Sequence, residues 1–409
     1  MSADAPHLWI ALPAMGESES IPQLFQCISE QSYRNFTVVV CVNQPESWHH
    51  LPEKQFYCTD NALTLQYLKS FVGFKTLIMD CSSPGKAFSD KQSGVGWARK
   101  MVMDEVNKYA AENDLIISVD ADTIYYPSYF GEVLKSFKRY PKSIALAVPY
   151  YHPITENEGL NRAMLRYEIY MRYYSINLLR IGSPYAYTAL GSAIALPVKS
   201  YRKVSGISPV KSGEDFYFLQ KLVKSGPLLC FTYGKVYPAT RLSDRVGFGT
   251  GPALIKGIKG EWDSYPIYHP SLFDEVNETY KSFPLLYEGE TVTPMSGFLQ
   301  EIFKEQDIWA PLRKNATTQK QFIRACHQKV DGLRVLQYLK SRQKSLQFSD
   351  ESSLIEFCKR YQPQLLENFS EDISFNNTSV EMLNELRNNL VDIEAMCQKK
   401  HLFLDISKI

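Results

Sequence analysis

The sequence predicts a doubly wound α/β fold followed by a C-terminal α-helical appendage, on three observations. Short apolar runs alternate with amphipathic stretches through the first 120 residues, those runs are apolar along their whole length, and strand signals stop near residue 270. Runs that are apolar throughout belong to strands covered on both faces, the condition of a mostly parallel, Rossmann-like sheet with crossover helices. At 409 residues the chain is also too long for one ordinary core and suits a large domain with a second one appended.

LWIALP at 8–13 is the first expected strand, and residues 20–32, with Ile21, Leu24, Phe25 and Ile28 on one face, the helix that follows it. FTVVVCV at 36–42 completes a βαβ unit. The alternation continues with a helix at Leu63–Val72, the strand KTLIMD at 75–80, a helix at Gly96–Ala111 and the strand DLIISVD at 114–120. Ligands of such sheets sit beyond the carboxyl ends of the strands, so chemistry is sought just after Pro13, Val42, Asp80 and Val119. After SIALAVPYY at 143–151 comes a long helical stretch at 156–181, in which Leu160, Met164, Tyr167, Met171 and Tyr174 recur at helical spacing. Arg162, Arg166, Arg172 and Arg180 lie between them; a packed helix with a solvated basic face is favoured over a wall of an acceptor site. Farther on, Lys320–Ser345 reads as helix with Phe322, Ala325, Val330, Leu333, Leu336 and Leu339 inside and Lys and Arg outside. Its basic side is expected to be solvated, with peripheral docking to anionic lipid or a partner as the alternative. The expected division is therefore a domain at 1–269 and a helical region at 270–409.

Bulk composition narrows the function. Lys+Arg number 45 against 44 Asp+Glu, so no overall field favours nucleic acid as a partner. Eight cysteines stand singly, with neither a C-x-x-C pair nor zinc spacing, which reads as free thiols in a reducing cytoplasm. The amino terminus lacks a basic segment, and no window reaches the ~18 apolar residues of a membrane span, so neither a signal peptide nor a span is expected.

Asp120-Ala121-Asp122 is the strongest chemical signal. Two carboxylates two residues apart, at a strand end where the chain turns, can both reach one hard cation such as Mn²⁺ or Mg²⁺ and place it against a diphosphate. By itself the pattern is common in turns; its position at the end of the fourth strand favours metal binding. Glu214 and Asp215 open an amphipathic segment, where acids are frequent for helix-dipole reasons alone. Held apart from the metal pair, Asp215 can also serve as a general base, with Glu214 the next candidate. In RLSDRVGFGTG, Arg241 and Arg245 beside Gly247, Gly249 and Gly251 could grip a diphosphate or form an ordinary glycine-rich loop. His152 and His269 are possible further metal ligands, although structural histidines are the more common case.

Five segments in this order resemble the GT-A fold of the family 2 glycosyltransferases over roughly residues 7–255: PAMGESESIPQLFQCISEQSYRNFTVVVCVN, GVGWARKMVMDEV, SVDADT, GSAIALPVKSYRKVSGI and GEDFYFLQKLVKSG. The resemblance implies an inverting single displacement from a UDP- or GDP-linked sugar to a carbohydrate or lipid-linked acceptor. It implies a metal on Asp122 with help from Asp120, and Asp215 as base. It further implies that Pro13, Ala14 and Glu17 line the nucleotide pocket and that Arg99 approaches the nucleotide or its diphosphate. Departures occur in base recognition: Val42-Asn43 stands where the family often has Asp-Asp or Asp-Asn, and Met15-Gly16 where it usually has Tyr-Asn. The Asn43 amide can still pair with a base. A retaining enzyme, a sugar-nucleotide nucleotidyltransferase and a non-catalytic sugar-binding protein on the same fold are the alternatives.

Overall fold

The structure is a computed structural model describing residues 5–210, 213–245, 247, 249–289, 291–367, 369 and 372–406. Its elements run β1 (Leu8–Ala14), α1 (Ser20–Ser29), β2 (Phe36–Asn43), α2 (Gln55–Ser70), β3 (Thr76–Cys81), α3 (Val95–Tyr109), β4 (Leu115–Ser118), β5 (Thr123–Tyr125), α4 (Tyr129–Arg139), β6 (Ala145–Ala147), α5 (Glu158–Arg180), β7 (Ile194–Pro197), α6 (Val198–Lys203), α7 (Glu214–Val223), β8 (Leu228–Leu229) and β9 (Val236–Pro238). Two compact units form, one from residues 1–155 and 188–255, the other from 156–187 and 256–409.

In the first unit seven strands share one sheet in the order β8-β6-β7-β4-β1-β2-β3. The four strands expected from the sequence, β1 to β4, pair in parallel. Strand β7 runs antiparallel to both β4 and β6, while β6 and β8 are parallel, so the sheet is mixed and mostly parallel. Every residue of β1 and β2 is buried, as runs without polar alternation require. Separately, β5 and β9 form an antiparallel two-stranded ribbon. Helix α2 starts at Gln55, well before the expected Leu63. Up to its middle it buries Asp60, Asn61 and Thr64, polar residues that hydrophobic periodicity does not register.

In the second unit, regular structure among the described residues beyond Pro270 is helical apart from the two-residue strand Phe403–Leu404. Helix α5 belongs to this unit, so the compact division does not follow the expected boundary at residues 269 and 270. The expected solvated basic face of α5 is also corrected. Arg166 and Arg172 are buried. Arg166 donates to the Tyr265 carbonyl at 3.0 Å, pairs with Asp350 and lies over the rings of Trp262 and Phe375. Arg172 donates to Glu168 at 3.1 Å and to Glu394 at 2.5 Å, and Arg387 donates to Glu168 at 2.9 Å. Arg162 reaches the carbonyls of Phe375 and Thr378, and Arg180 pairs with Asp274 at 2.7 Å. A helical pattern shows where the apolar stripe lies; it does not show that helices far along the chain bring acids to the opposite side. The stretch Lys320–Ser345 is likewise two helices, Gln319–Lys329 and Gly332–Gln343. Asp331 breaks it by taking an extended conformation and accepting the Arg334 N–H as an N-cap. Among the described residues no helix is long and apolar enough to cross a membrane.

Glu168 and Arg387 are fully buried, at 0% exposure each. Removing one partner of a buried pair leaves an uncompensated charge in a medium that solvates it poorly. Arg387→Leu should therefore destabilise the protein by about 3 kcal/mol or more, read as a fall in the denaturation midpoint. A midpoint within error of wild type contradicts this account of the network.

Candidate active site

Asp120 and Asp122 lie in the turn between β4 and β5, beyond the carboxyl end of a central strand, where this class of sheet places its ligands. The turn is braced from within: the Asp120 N–H donates to the Tyr125 hydroxyl at 3.3 Å, and that hydroxyl donates to the Ser192 carbonyl at 3.2 Å.

Beneath the turn sits Arg99, on α3 and 2% exposed. Its guanidinium donates to Asp120 at 2.9 Å, to Glu214 at 3.0 Å, to the Ser118 hydroxyl at 2.5 Å and to the Gly191 carbonyl at 3.1 Å. A Cβ on Gly191 would come within 2.2 Å of the Arg99 guanidinium, so only glycine permits this approach. Arg99, expected to approach the nucleotide or its diphosphate, directs its planar fork to the protein and joins the turn after β4 to the start of α7. Burial alone would lower the pKa of Arg99, but the charges of Asp120 and Glu214 outweigh it and hold the group well above its usual range.

That start of α7 carries Asp215. Gly213 precedes the helix with φ at 78°, a left-handed turn that glycine takes without strain. Glu214 is buried against Arg99, and Asp215, half-buried, accepts the N–H of Phe216 at 2.7 Å. Burial first, then the neighbouring Glu214 charge, push the Asp215 carboxyl up to about 7, with Arg99 opposing them. A carboxyl in that range is suited to exchanging a proton near neutral pH.

On the other side of the turn, Arg241 bridges Asp122 at 2.6 Å and Glu17 at 2.7 Å. Arg245 also pairs with Glu17 and donates to the Met15 carbonyl at 2.7 Å. Glu17 is 7% exposed, and its Oε2 has no hydrogen-bond partner among the described residues. Burial raises its pKa, the two arginines lower it, and the charge of Asp122 raises it again. The two arginines singled out in the sequence thus converge on the first loop and the carboxylate turn. Gly247, Gly249 and Gly251 follow them, while Val246 and Phe248 lie outside the described residues.

Pro13 and Ala14 are buried at the end of β1. Asn43 is buried as well, and its amide nitrogen donates to the Ala14 carbonyl at 2.8 Å, tying the ends of β1 and β2 together. Sequence reasoning missed Asp60 and Asn61 of α2. Asp60 accepts from the backbone and hydroxyl of Ser18, and Asn61 accepts the Gly16 N–H at 2.9 Å, so α2 shapes the loop that carries Glu17. The invariant dependence of helix-pattern reading on apolar spacing hides such residues. Ser118 and Gly191 were missed too, because neither has meaning until Arg99 is placed between them.

The donor set fits a hard divalent cation. Asp120 and Asp122 each give one oxygen to an arginine, and Oδ2 of Asp120 and Oδ1 of Asp122 accept no hydrogen bond from the described residues. Among the described residues no set of three or more His, Cys, Asp and Glu is gathered for a metal ion. Two carboxylates with substrate phosphates completing the shell is a common arrangement for Mg²⁺. His152 is buried edge-on to Tyr150, and His269 caps the helix Pro270–Lys281 by accepting the Ser271 N–H.

Comparison with protein-family models and with curated proteins finds no match. Among solved structures the chain is similar to S. aureus TarS 1–349 in complex with UDP-GlcNAc, at 11% identity and a TM-score of 0.40, covering 87% of this chain and 91% of that one. It is similar to the mannosyltransferase PcManGT from Pyrobaculum calidifontis in complex with GDP-Man and Mn²⁺, at 10% identity and 0.38, covering 97% and 88%. A third likeness is to GalNAc-T7 with UDP, GalNAc and Mn²⁺, at 12% identity and 0.40, covering 84% and 59%.

Arg99 holds the Asp215 pKa down from where burial would put it. Arg99→Met should raise the Asp215 pKa above about 7, followed by carboxyl NMR titration, and should destabilise the fold by about 3–5 kcal/mol. An unchanged or lower Asp215 pKa in a folded variant would show that Arg99 does not couple the two segments.

Proposed function

We propose that the chain is a metal-dependent glycosyltransferase that moves a sugar, with inversion, from a UDP- or GDP-linked donor to an acceptor hydroxyl in glycan or glycoconjugate synthesis. The observation that carries this reading is the Arg99 bridge, which draws the carboxylate pair and the segment bearing Asp215 into one ion-pair network. One side of that network offers hard oxygen ligands for a cation. The other offers a proton acceptor with a pKa near neutrality on a separate element. Transfer to a hydroxyl needs both, and a protein that only binds sugars needs neither.

Asp120 and Asp122 would hold Mn²⁺ or Mg²⁺ through the oxygens that accept no protein donor. A bound cation supplies compensation for the charge developing on the leaving diphosphate. Arg241 and Arg245 present guanidinium donors beside the carboxylates, suited to phosphate oxygens. Glu17 orients both arginines and screens their charge until a diphosphate arrives. Pro13, Ala14 and Asn43 form the floor under the nucleotide. Asp215 takes the proton from the attacking hydroxyl. Burial, and after it the charge of Glu214, keep the Asp215 pKa high enough for the proton to be accepted near neutral pH.

Donor affinity should depend on the cation and on Asp122, because the diphosphate and the carboxylates repel one another without it. EDTA or Asp122→Asn is expected to weaken UDP or GDP binding at least ~10-fold, about 1.4 kcal/mol. Equal affinity by calorimetry with and without metal removes the metal from this reading.

Asp215 should fail differently. Asp215→Asn keeps the size and helix-start bonding but cannot accept a proton, so turnover should fall ~10²–10⁴-fold with donor affinity within a few-fold of wild type. In the wild type, the ionised form is the active one, so the transfer rate should rise with pH through about 7 and level off above it. A variant with near-normal transfer would take Asp215 out of the mechanism.

A further inference from the structure

The ribbon of β5 and β9 runs away from the carboxylate turn. Its pairing sets Thr123 opposite Pro238, Ile124 opposite Tyr237 and Tyr125 opposite Val236. The ladder extends one step toward the site, where the Ala239 N–H donates to the Asp122 carbonyl at 3.0 Å. Residues two apart on a strand share a face. Thr123 and Tyr125 point inward, at 2% and 1% exposure. Asp122, Ile124 and Tyr126 therefore line the opposite face, together with Tyr237 and Arg241 from the partner strand.

Contacts at both ends agree with this alternation. Near the turn, Arg241 meets Asp122 across the ribbon at 2.6 Å. At the far end, the rings of Tyr126 and Tyr237 meet edge to face with centroids 4.7 Å apart, and Tyr151 packs on Tyr237 at 6.2 Å. The Lys235 ammonium lies 5.8 Å from the Tyr151 ring centre. Tyr126 is 54% exposed. One continuous face thus passes from an ionic end to an aromatic end over four residues, roughly 13 Å at ~3.3 Å per residue.

We infer that Tyr126, Tyr237 and Tyr151 form a stacking platform for sugar rings of an oligosaccharide acceptor, placed along the ribbon from the Asp122–Arg241 pair. The platform deepens the transferase reading and rests on it for the identity of the ligand as acceptor. Its chemistry is suited to a pyranose: tyrosine faces accept the apolar C–H face of the ring while the hydroxyl tips and the Lys235 ammonium meet its rim. A core packing role would bury the rings and would not leave Tyr126 half in solvent.

Saturation-transfer NMR with maltotriose, cellotriose and chitotriose tests the platform directly, alongside UDP- and GDP-sugar binding by calorimetry. At least one trisaccharide should bind the wild type. Tyr126→Ala and Tyr237→Ala should weaken it at least tenfold, Tyr126→Phe and Tyr237→Phe should bind it within a few-fold of wild type, and all four should bind nucleotide sugar normally. Unchanged unfolding midpoints confirm that the alanine variants fold. Absence of trisaccharide binding in the wild type, or alanine variants that bind as the wild type does, overturns the platform and leaves the donor site standing. Trisaccharide binding lost in the alanine variants while the wild type binds no nucleotide sugar upholds the platform and overturns the transferase reading.

Discussion

The site depends on one buried guanidinium. Arg99 has almost no contact with solvent, and an arginine in that position must be fully compensated or the fold does not tolerate it. Compensation comes from two carboxylates on segments far apart in sequence, Asp120 after β4 and Glu214 at the start of α7. Because the fork geometry of arginine is rigid, satisfying it sets the distance between those segments as well as their charge. Gly191 and Ser118 complete the cradle, one by lacking a side chain and the other by offering a hydroxyl. The positions of Asp120 and Asp215 follow from that single requirement.

A second charge balance governs the opposite wall. Burial and then the nearby charge of Asp122 disfavour ionisation of Glu17, and Arg245 and Arg241 oppose them. The first loop owes its shape to polar residues of α2, so the helix does more than cover the sheet. Charge is nearly neutral within this wall before any ligand is present. In the transferase reading proposed above, an anionic donor with a divalent cation would add little net charge, so protein ion pairs could be exchanged for ligand ones at modest electrostatic cost.

Much of the sheet was legible in the sequence because its central strands are covered on both faces. LWIALP and FTVVVCV contain no polar alternation to mislead, and each appears within a residue or two of its expected limits. Helix α2 was half legible: its later, leucine-bearing part shows a pattern, but its start buries Asp60 and Asn61. Helix α5 was legible as a helix and illegible as an ionic element, since its acids of complement, Asp350 and Glu394, lie some two hundred residues away. Within the site, the carboxylates and Arg241 and Arg245 stood out by residue type and position. Arg99 entered only through the family resemblance, and its place beneath the turn depends on Gly191, whose role is purely spatial.

Helix α5 has a bearing on how the second unit is made. It leaves the ribosome long before the helix Val380–Lys400, against which it closes its ion pairs at sequence separations of 219 and 222. Until that last helix emerges, Glu168 and Arg172 have no Arg387 or Glu394, and the apolar stripe of α5 lacks its closest partner. Contacts of such long range are slow to form because loop closure must precede any reward. The nascent chain therefore carries an amphipathic, charge-bearing segment while the 219 residues from Glu168 to Arg387 are added, the kind of intermediate on which molecular chaperones act. Closure of these ion pairs waits on the helix Val380–Lys400.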